Sequence, residues 1–383
     1  MKKTFFLLIA LATTLCYSQE DTKVAVNLPA NQKYEFTTVI DIEASNVKSQ
    51  GNTGTCWSYA SSSFIESEIY RVSGEHIDIS EMYNVRQTYP AKAWNYVMRQ
   101  GKTQFGEGGL AHDVMNSVQQ YGLVPESAFS GLQNGSKEHN HEAMATQLKE
   151  VLDTFIKNDV NSKYPNWKKA IGTILDEQLG TIPTEFNYNG IQYTPMSFLK
   201  KTQLHPADYI TLTSFTHQPY YTKFILNIPD NFSNGSFYNV PLNDLVSETD
   251  NALKNGYTLA LDCDVSEATF SSKTGVAFIP KNNTDQEKGL TYIVDELPIT
   301  ADFRQQEFEN YNTADDHLMH LVGLVKDQNN KEYYKIKNSW GGNSDRIGNN
   351  GYIYMSKTYF KLKTISVLVH KNGVSPAILN KFK

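Results

Sequence analysis

Cys56 lies in QGNTGTCWSYASS, residues 50–62, between a glycine-rich approach and a run that turns apolar at helical spacing. A thiol is a nucleophile only as its thiolate, and a free pKa of about 8.5 leaves little thiolate at neutral pH. A helix N-terminus carries about half a positive charge from its unpaired N–H groups, which favours the anion. Trp57, Ala60, Phe64 and Ile65 recur at helical spacing with Thr55 as the candidate cap, so Cys56 is expected in such a first turn. Nucleophilic catalysis then needs an imidazole beside the sulfur and a third group to orient it. DHLMHLVGLV offers His317 and His320, whose three-residue spacing on a strand points them to opposite faces, so at most one can line a cleft. Asn338, in YYKIKNSWGG, offers a side-chain carbonyl at a strand end, with Trp340 placed to shield an Asn–His hydrogen bond from water.

The same histidines with Asp315 or Asp316 raise zinc as a competing reading. The strand separates the two rings, and the chain has neither HExxH nor paired cysteines, so no metal and no cofactor are expected. Cys263 sits in an apolar strand and reads as core, His320 as structural, and His112, on a helix after GEGG, as surface or supporting at most.

The elements that must position these groups fall in order along the chain. A helix is expected from Cys56, and a second after GEGG, where Leu110, Val114 and Val118 step by four and Tyr121-Gly122 ends the run. Residues 136–256 read as a largely helical insertion, with Met144, Leu148, Val151, Leu152 and Phe155 on one helix and Trp167, Ile171, Ile174 and Leu175 on another. TLALDCDV, HLVGLV, EYYKIKN, GYIYMS and TISVLV in residues 257–383 have the short, β-branched and aromatic pattern of an antiparallel sheet or partial barrel. Helices first and strands last imply an α+β protein of two lobes, residues 19–135 and 257–383, with a cleft between them.

Residues 1–18, MKKTFFLLIALATTLCYS, have the basic start, short apolar stretch and small-residue end of a secretory signal peptide, which implies export to the periplasm or the exterior. No later run has the roughly 20 apolar residues that a membrane span needs. Removing Lys2 and Lys3 takes the formal charge from −6 to −8, which offers no basic face for nucleic acid. Only Cys56 and Cys263 remain after cleavage, so the protein is not a disulfide scaffold.

Taken together, these segments resemble the papain-like cysteine peptidases. Gln50 precedes Cys56 by six residues and Trp57 follows it, His317 lies six residues before Gly323, and NSWG at 338–341 supplies the asparagine, all in the family's order. About 260 residues separate Cys56 from His317, roughly twice the interval of papain itself, and EMYNVRQTY, YGLVPESAF, LGTIPTEFNY, TPMSFLKK and LALDCDV are similar to segments of the bleomycin hydrolase and aminopeptidase C branch.

The resemblance implies a papain-like fold with a helical lobe and a β-barrel-like lobe. It implies Cys56 as nucleophile, His317 as acid and base, Asn338 as its orienter, and an oxyanion hole of the Gln50 amide and the Cys56 N–H. Gly108 and Gly109 would let a peptide substrate's backbone approach, and a homohexamer is the branch's assembly. Some members place their own C-terminal carboxylate in the cleft to hold a substrate's amino group. Here the last 13 residues, KNGVSPAILNKFK, span roughly 40 Å if extended, but Ala377, Ile378 and Leu379 suit a short terminal helix equally well. The resemblance implies a cysteine peptidase that releases amino-terminal residues from peptides, with an open-cleft endopeptidase and a non-catalytic peptide binder as the alternatives.

Overall fold

The computed structural model describes residues 33–158 and 166–382. The expected signal peptide and the terminal carboxylate of Lys383 lie outside the described residues. Seven helices carry much of the first two thirds of the chain: α1 (Cys56–Ser73), α2 (Glu81–Met98), α3 (Ala111–Tyr121), α4 (Glu142–Asn158), α5 (Trp167–Leu179), α6 (Pro195–Thr202) and α7 (Leu242–Lys254). The strands are β1 (Thr37–Asp41), a hairpin of β2 (Phe186–Tyr188) and β3 (Ile191–Tyr193), then β4 (Tyr209–Thr213), β5 (Lys223–Ile225) and β6 (Ser236–Asn239). β7 (Leu259–Cys263), β8 (Phe270–Ser271), β9 (Val276–Ala277), β10 (His317–Lys326), β11 (Glu332–Lys337), β12 (Tyr352–Ser356) and β13 (Thr364–His370) follow.

One sheet runs in the order β5-β6-β4-β13-β7-β10-β11-β12-β9-β8, with β1 paired to β10. Its pairs are antiparallel except β4 with β6 and β12 with β9. The path does not close on itself, so the expected barrel-like lobe is an open sheet. Its two faces carry separate cores. Leu318, Ala260, Ile365 and Leu368 face the helical layer with Phe64 and Ile65 of α1. Met319, Leu321, Leu261, Cys263 and Val367 face the other way, against Leu245 and Leu253 of α7. That alternation is the period of two of a strand buried on both sides.

Helix α1 is the hub, wedged between β10 and the helices α2 and α3. Its sequence explains how it fits. Ser58, Ser61, Ser62 and Ser63 are all buried and small enough to admit close neighbours, while Phe64, Ile65 and Ile69 fill the gaps between layers. Gly74 ends it in the left-handed conformation, φ 71°, where its N–H reaches Tyr70 O. Ser80 caps α2, its Oγ accepting the Tyr83 N–H at 3.0 Å.

The stretch 136–256, expected to be a largely helical insertion, contributes to both layers. α4 and α5 pack with α2, but β4 and β6 extend the main sheet through β13. YITLT carries the β-branched signal for β4, but only its partner β13, some 150 residues later, buries it.

Candidate active site

Cys56 opens α1 and is 9% exposed. Thr55 occupies the cap position, but its side chain makes no capping bond and instead contacts Thr53 Oγ1 at 2.6 Å, a correction to its expected role. The Thr55 carbonyl takes the Ser58 and Tyr59 amides. The Cys56 amide has no partner among the described residues, which leaves the positive end of α1 open at the sulfur.

The adjoining ends of two central strands supply the rest. His317 begins β10 and Asn338 follows β11, and the pairing of these strands brings the two side chains together. The His317 Nε2–H donates to Asn338 Oδ1 at 2.8 Å. Both residues are 4% exposed. This bond assigns the tautomer, leaving Nδ1 unprotonated. The Trp340 ring covers the imidazole with centroids 4.7 Å apart. His320 points to the opposite face, packed directly on α1, where Ser63 Oγ contacts its Nδ1 at 2.8 Å and the Phe64 ring meets it edge-on.

Gln50 is tied to the asparagine loop on backbone and side chain. Its N–H reaches Ser339 O at 2.8 Å, and its Oε1 accepts the Ser339 hydroxyl at 2.7 Å. One Nε2–H goes to Thr53 O at 2.6 Å, and the other is free to point at a developing oxyanion beside the Cys56 amide. Ser339 thus positions Gln50, a role that was not assigned to it although it lies within NSWG.

Gly109 lies against the Trp57 indole, whose Nε1–H donates to Glu107 O at 2.9 Å. Glu107 also takes the Gly54 amide at 2.7 Å and so joins the glycine segment to the nucleophile loop. Gly108 is not open, as the sequence reading expected: a Cβ built there would lie 2.0 Å from Asp230 Oδ2. Lys92 donates to the Gly108 carbonyl from below.

Burial dominates the electrostatics. It pushes the Cys56 thiol up to about 12, opposed by the Leu318 backbone N–H and reinforced by the negative charges of Asp230, Asp315 and Asp262. Burial pushes His317 down to about 4, partly offset by its bond to Asn338. Both shifts disfavour the charged form, so the resting pair is a neutral thiol and a neutral imidazole. Cys263, read as core, is fully buried in β7. No group of three or more His, Cys, Asp or Glu among the described residues is arranged to hold a metal ion.

The family model described as "Peptidase C1-like family" matches residues 95–383, three quarters of the chain, including the segments of His317 and Asn338. The chain belongs to the Peptidase C1-like family. Its match begins beyond α1, so the placement of Gln50 and Cys56 rests on the geometry above. Within the curated proteins, aminopeptidase C of Listeria innocua serovar 6a is 24% identical over 89% of this chain and 84% of its own. Aminopeptidase G of Lactobacillus delbrueckii subsp. lactis is 25% identical over 86% and 82%. The crystal structure of PepW from Lactobacillus rhamnosis HN001 superposes with a TM-score of 0.70 at 18% identity, over 90% of this chain and 84% of that one. The fold is that of the papain-like peptidases.

Sequence spacing missed Ser339, Lys92, Asp230 and Asp315. Asp315 stands two residues before His317 and was weighed only as a metal ligand. Asp230 lies in a polar loop 174 residues after Cys56 with no motif around it.

Proposed function

We propose that this member of the Peptidase C1-like family is a cysteine peptidase that releases amino-terminal residues from peptides. The observation that carries the reading is the His317–Asn338 pair, fixed at 2.8 Å where β10 starts and β11 ends, with the next residue, Leu318, giving its backbone N–H to the Cys56 sulfur. The names of the two relatives, both aminopeptidases, favour removal of terminal residues over cleavage within chains.

The roles follow from the donor pattern. As Cys56 Sγ attacks the scissile carbonyl, its proton passes to the free Nδ1 of His317, because Nε2–H is held by Asn338. The tetrahedral oxyanion is met by the Cys56 amide and the second Gln50 Nε2–H. His317 then protonates the leaving amine, the C–N bond breaks, and a thioester remains. Water attacks that thioester with His317 as base, which releases the acid and restores the thiol. The departing peptide has room beside Trp340, where Ser49, Asn52, Glu138 and Arg346 border an open groove of about 630 Å³.

Export is part of the same proposal and rests on residues 1–18; a homo-oligomer rests on the family resemblance alone. Light scattering of the mature protein reads out the oligomer, and fractionation of the source cell the compartment. The activity itself is tested with fluorogenic aminoacyl and peptidyl amides under reducing conditions, with Cys56→Ala as control. Hydrolysis lost in that variant supports the reading. Peptide binding without turnover in the wild type would instead make the protein a binding module.

A further inference from the structure

An enzyme that trims amino termini must recognise a free α-ammonium, and a C-terminal carboxylate is the first candidate for that task. The described tail is committed elsewhere. Residues Pro376–Leu379 form a short helix, Ile378 is 5% exposed in the core on the α7 side of the sheet, and the Ser375 amide and hydroxyl bind Glu248. Phe382 stacks on Tyr238 of β6, rings 4.1 Å apart. β6 stands four strand positions from β10, about 19 Å along the sheet.

A different carboxylate stands in the cleft. Residues 226–235 cross the glycine segment as a loop braced on all sides. Asn231 Nδ2 donates to Leu226 O and Gly235 O, both at 2.9 Å, Ser233 Oγ contacts His112 Nε2 at 2.9 Å, and Arg99 donates to Asn234 Oδ1 at 3.1 Å. The loop sets the Asp230 carboxylate over Gly108, closing the track a substrate backbone would follow past Gly109. Asp230 Oδ1 accepts from Gln104 at 3.2 Å, and Oδ2 has no donor among the described residues.

Behind it, the Asp230 backbone N–H donates to Asp315, and Asp315 faces the carboxyl of Asp262 on β7. Asp262 is 2% exposed, and neither its Oδ1 nor Asp315 Oδ2 receives a donor from any other described residue. Three carboxyls thus meet beside Cys56 with no cation in ion-pair contact. Lys92, which donates to the Gly108 carbonyl, is the positive charge acting on Asp230 and pulls its carboxyl down against burial, but makes no direct ion pair with it.

We infer that Asp230, held by Asp315 and backed by Asp262, receives the substrate's free α-ammonium, and that the 226–235 loop closes the cleft behind it. This rests on the peptidase reading above and names the group that makes it an aminopeptidase. It also gives the ammonium a second effect. Burial and the neighbouring Asp315 push Asp262 well up, so it stands behind Asp315 as a protonated carboxyl. The negative charges of Asp230 and Asp315 oppose ionisation of Cys56, so a cation bound at Asp230 eases loss of the thiol proton, and a free amino terminus favours the step that follows its own binding.

The test compares one aminoacyl fluorogenic amide with its N-acetylated form, in the wild type, Asp230→Asn, Asp230→Glu and a chain extended by Gly-Ser-Gly after Lys383. Loss of a charge-assisted hydrogen bond lowers kcat/KM for the free amine roughly ten- to a hundred-fold in Asp230→Asn. The free-to-acetylated ratio should collapse with it and partly recover in Asp230→Glu. The extended chain should keep the wild-type ratio. An equal fall for both substrates would make Asp230 merely structural and overturn the inference. So would loss of the ratio in the extended chain, which would point to the terminal carboxylate. Equal wild-type hydrolysis of both substrates, dependent on Cys56, would refute the ammonium site but leave a cysteine peptidase. Absence of any Cys56-dependent hydrolysis would sink both readings.

Discussion

Asn338→Ala tests the site at its most connected point. The side chain accepts the His317 Nε2–H and the Ser339 amide, each at 2.8 Å, in surroundings 4% exposed. Its backbone N–H stays bonded to Gly351 O in the variant, so the loop keeps its anchor. Truncation leaves a buried imidazole N–H without an acceptor, which costs about 1–3 kcal/mol. The tautomer with its proton on Nδ1 becomes competitive, and in that form His317 cannot take the thiol proton. If the whole penalty falls on the transition state, kcat/KM drops roughly 5- to 150-fold. Steady-state kinetics on an aminoacyl amide measure it, with thermal unfolding to separate loss of catalysis from loss of fold. Asn338→Asp adds a sign. A carboxylate beside the ring favours imidazolium, so the pKa of His317 rises from about 4 and the acid limb of the kcat/KM profile moves to higher pH. A kcat/KM within twofold of wild type in Asn338→Ala, or an acid limb that stays still in Asn338→Asp, would refute the assignment of His317 as base.

Other consequences can be checked alongside. Gln50→Ala should lower kcat by roughly a hundred- to a thousand-fold with little change in KM, the cost of one oxyanion donor of about 2.7–4 kcal/mol; a change confined to KM would place Gln50 in ground-state binding. Gly108→Ala should weaken the fold by about 1–3 kcal/mol and loosen the 226–235 loop, because the new methyl meets the Asp230 carboxylate; unchanged melting and unchanged amide exchange in that loop would count against the packing. With the thiol pushed up to about 12 and His317 down to about 4, alkylation of the empty enzyme by iodoacetamide should keep accelerating as pH rises through 7 to 10. A rate that is flat across that range would instead mean a thiolate–imidazolium pair at rest.

The order of the groups and the faces they occupy are legible in the sequence. The apolar period after Cys56 marks α1 because β-branched residues are few and Gly74 stops it. The strand alternation around His317 and His320 separates the ring beside Asn338 from the one packed against Ser63 of α1. The strands of residues 209–239 were harder to see. β5 and β6 are only three and four residues long, and pairing within the sheet defines them more than their own patterns do. The C-terminal stretch read two ways because thirteen residues are enough either to extend into a cleft or to fold back, and only the docking of Ile378 and Phe382 chooses the second.

The chain by itself determined the reacting set, since a thiol at a helix start, an imidazole at a strand start and an amide at a strand end are local features with local signals. Whether those groups sit charged or neutral was decided by the tertiary structure, because desolvation depends on every layer packed over α1 and β10. So was the closing of the glycine track. Asp230, Asp315 and Asp262 come from three separate segments of the chain, and only the path of the 226–235 loop over Gly108 and the pairing of β10 with β7 bring them together beside Cys56.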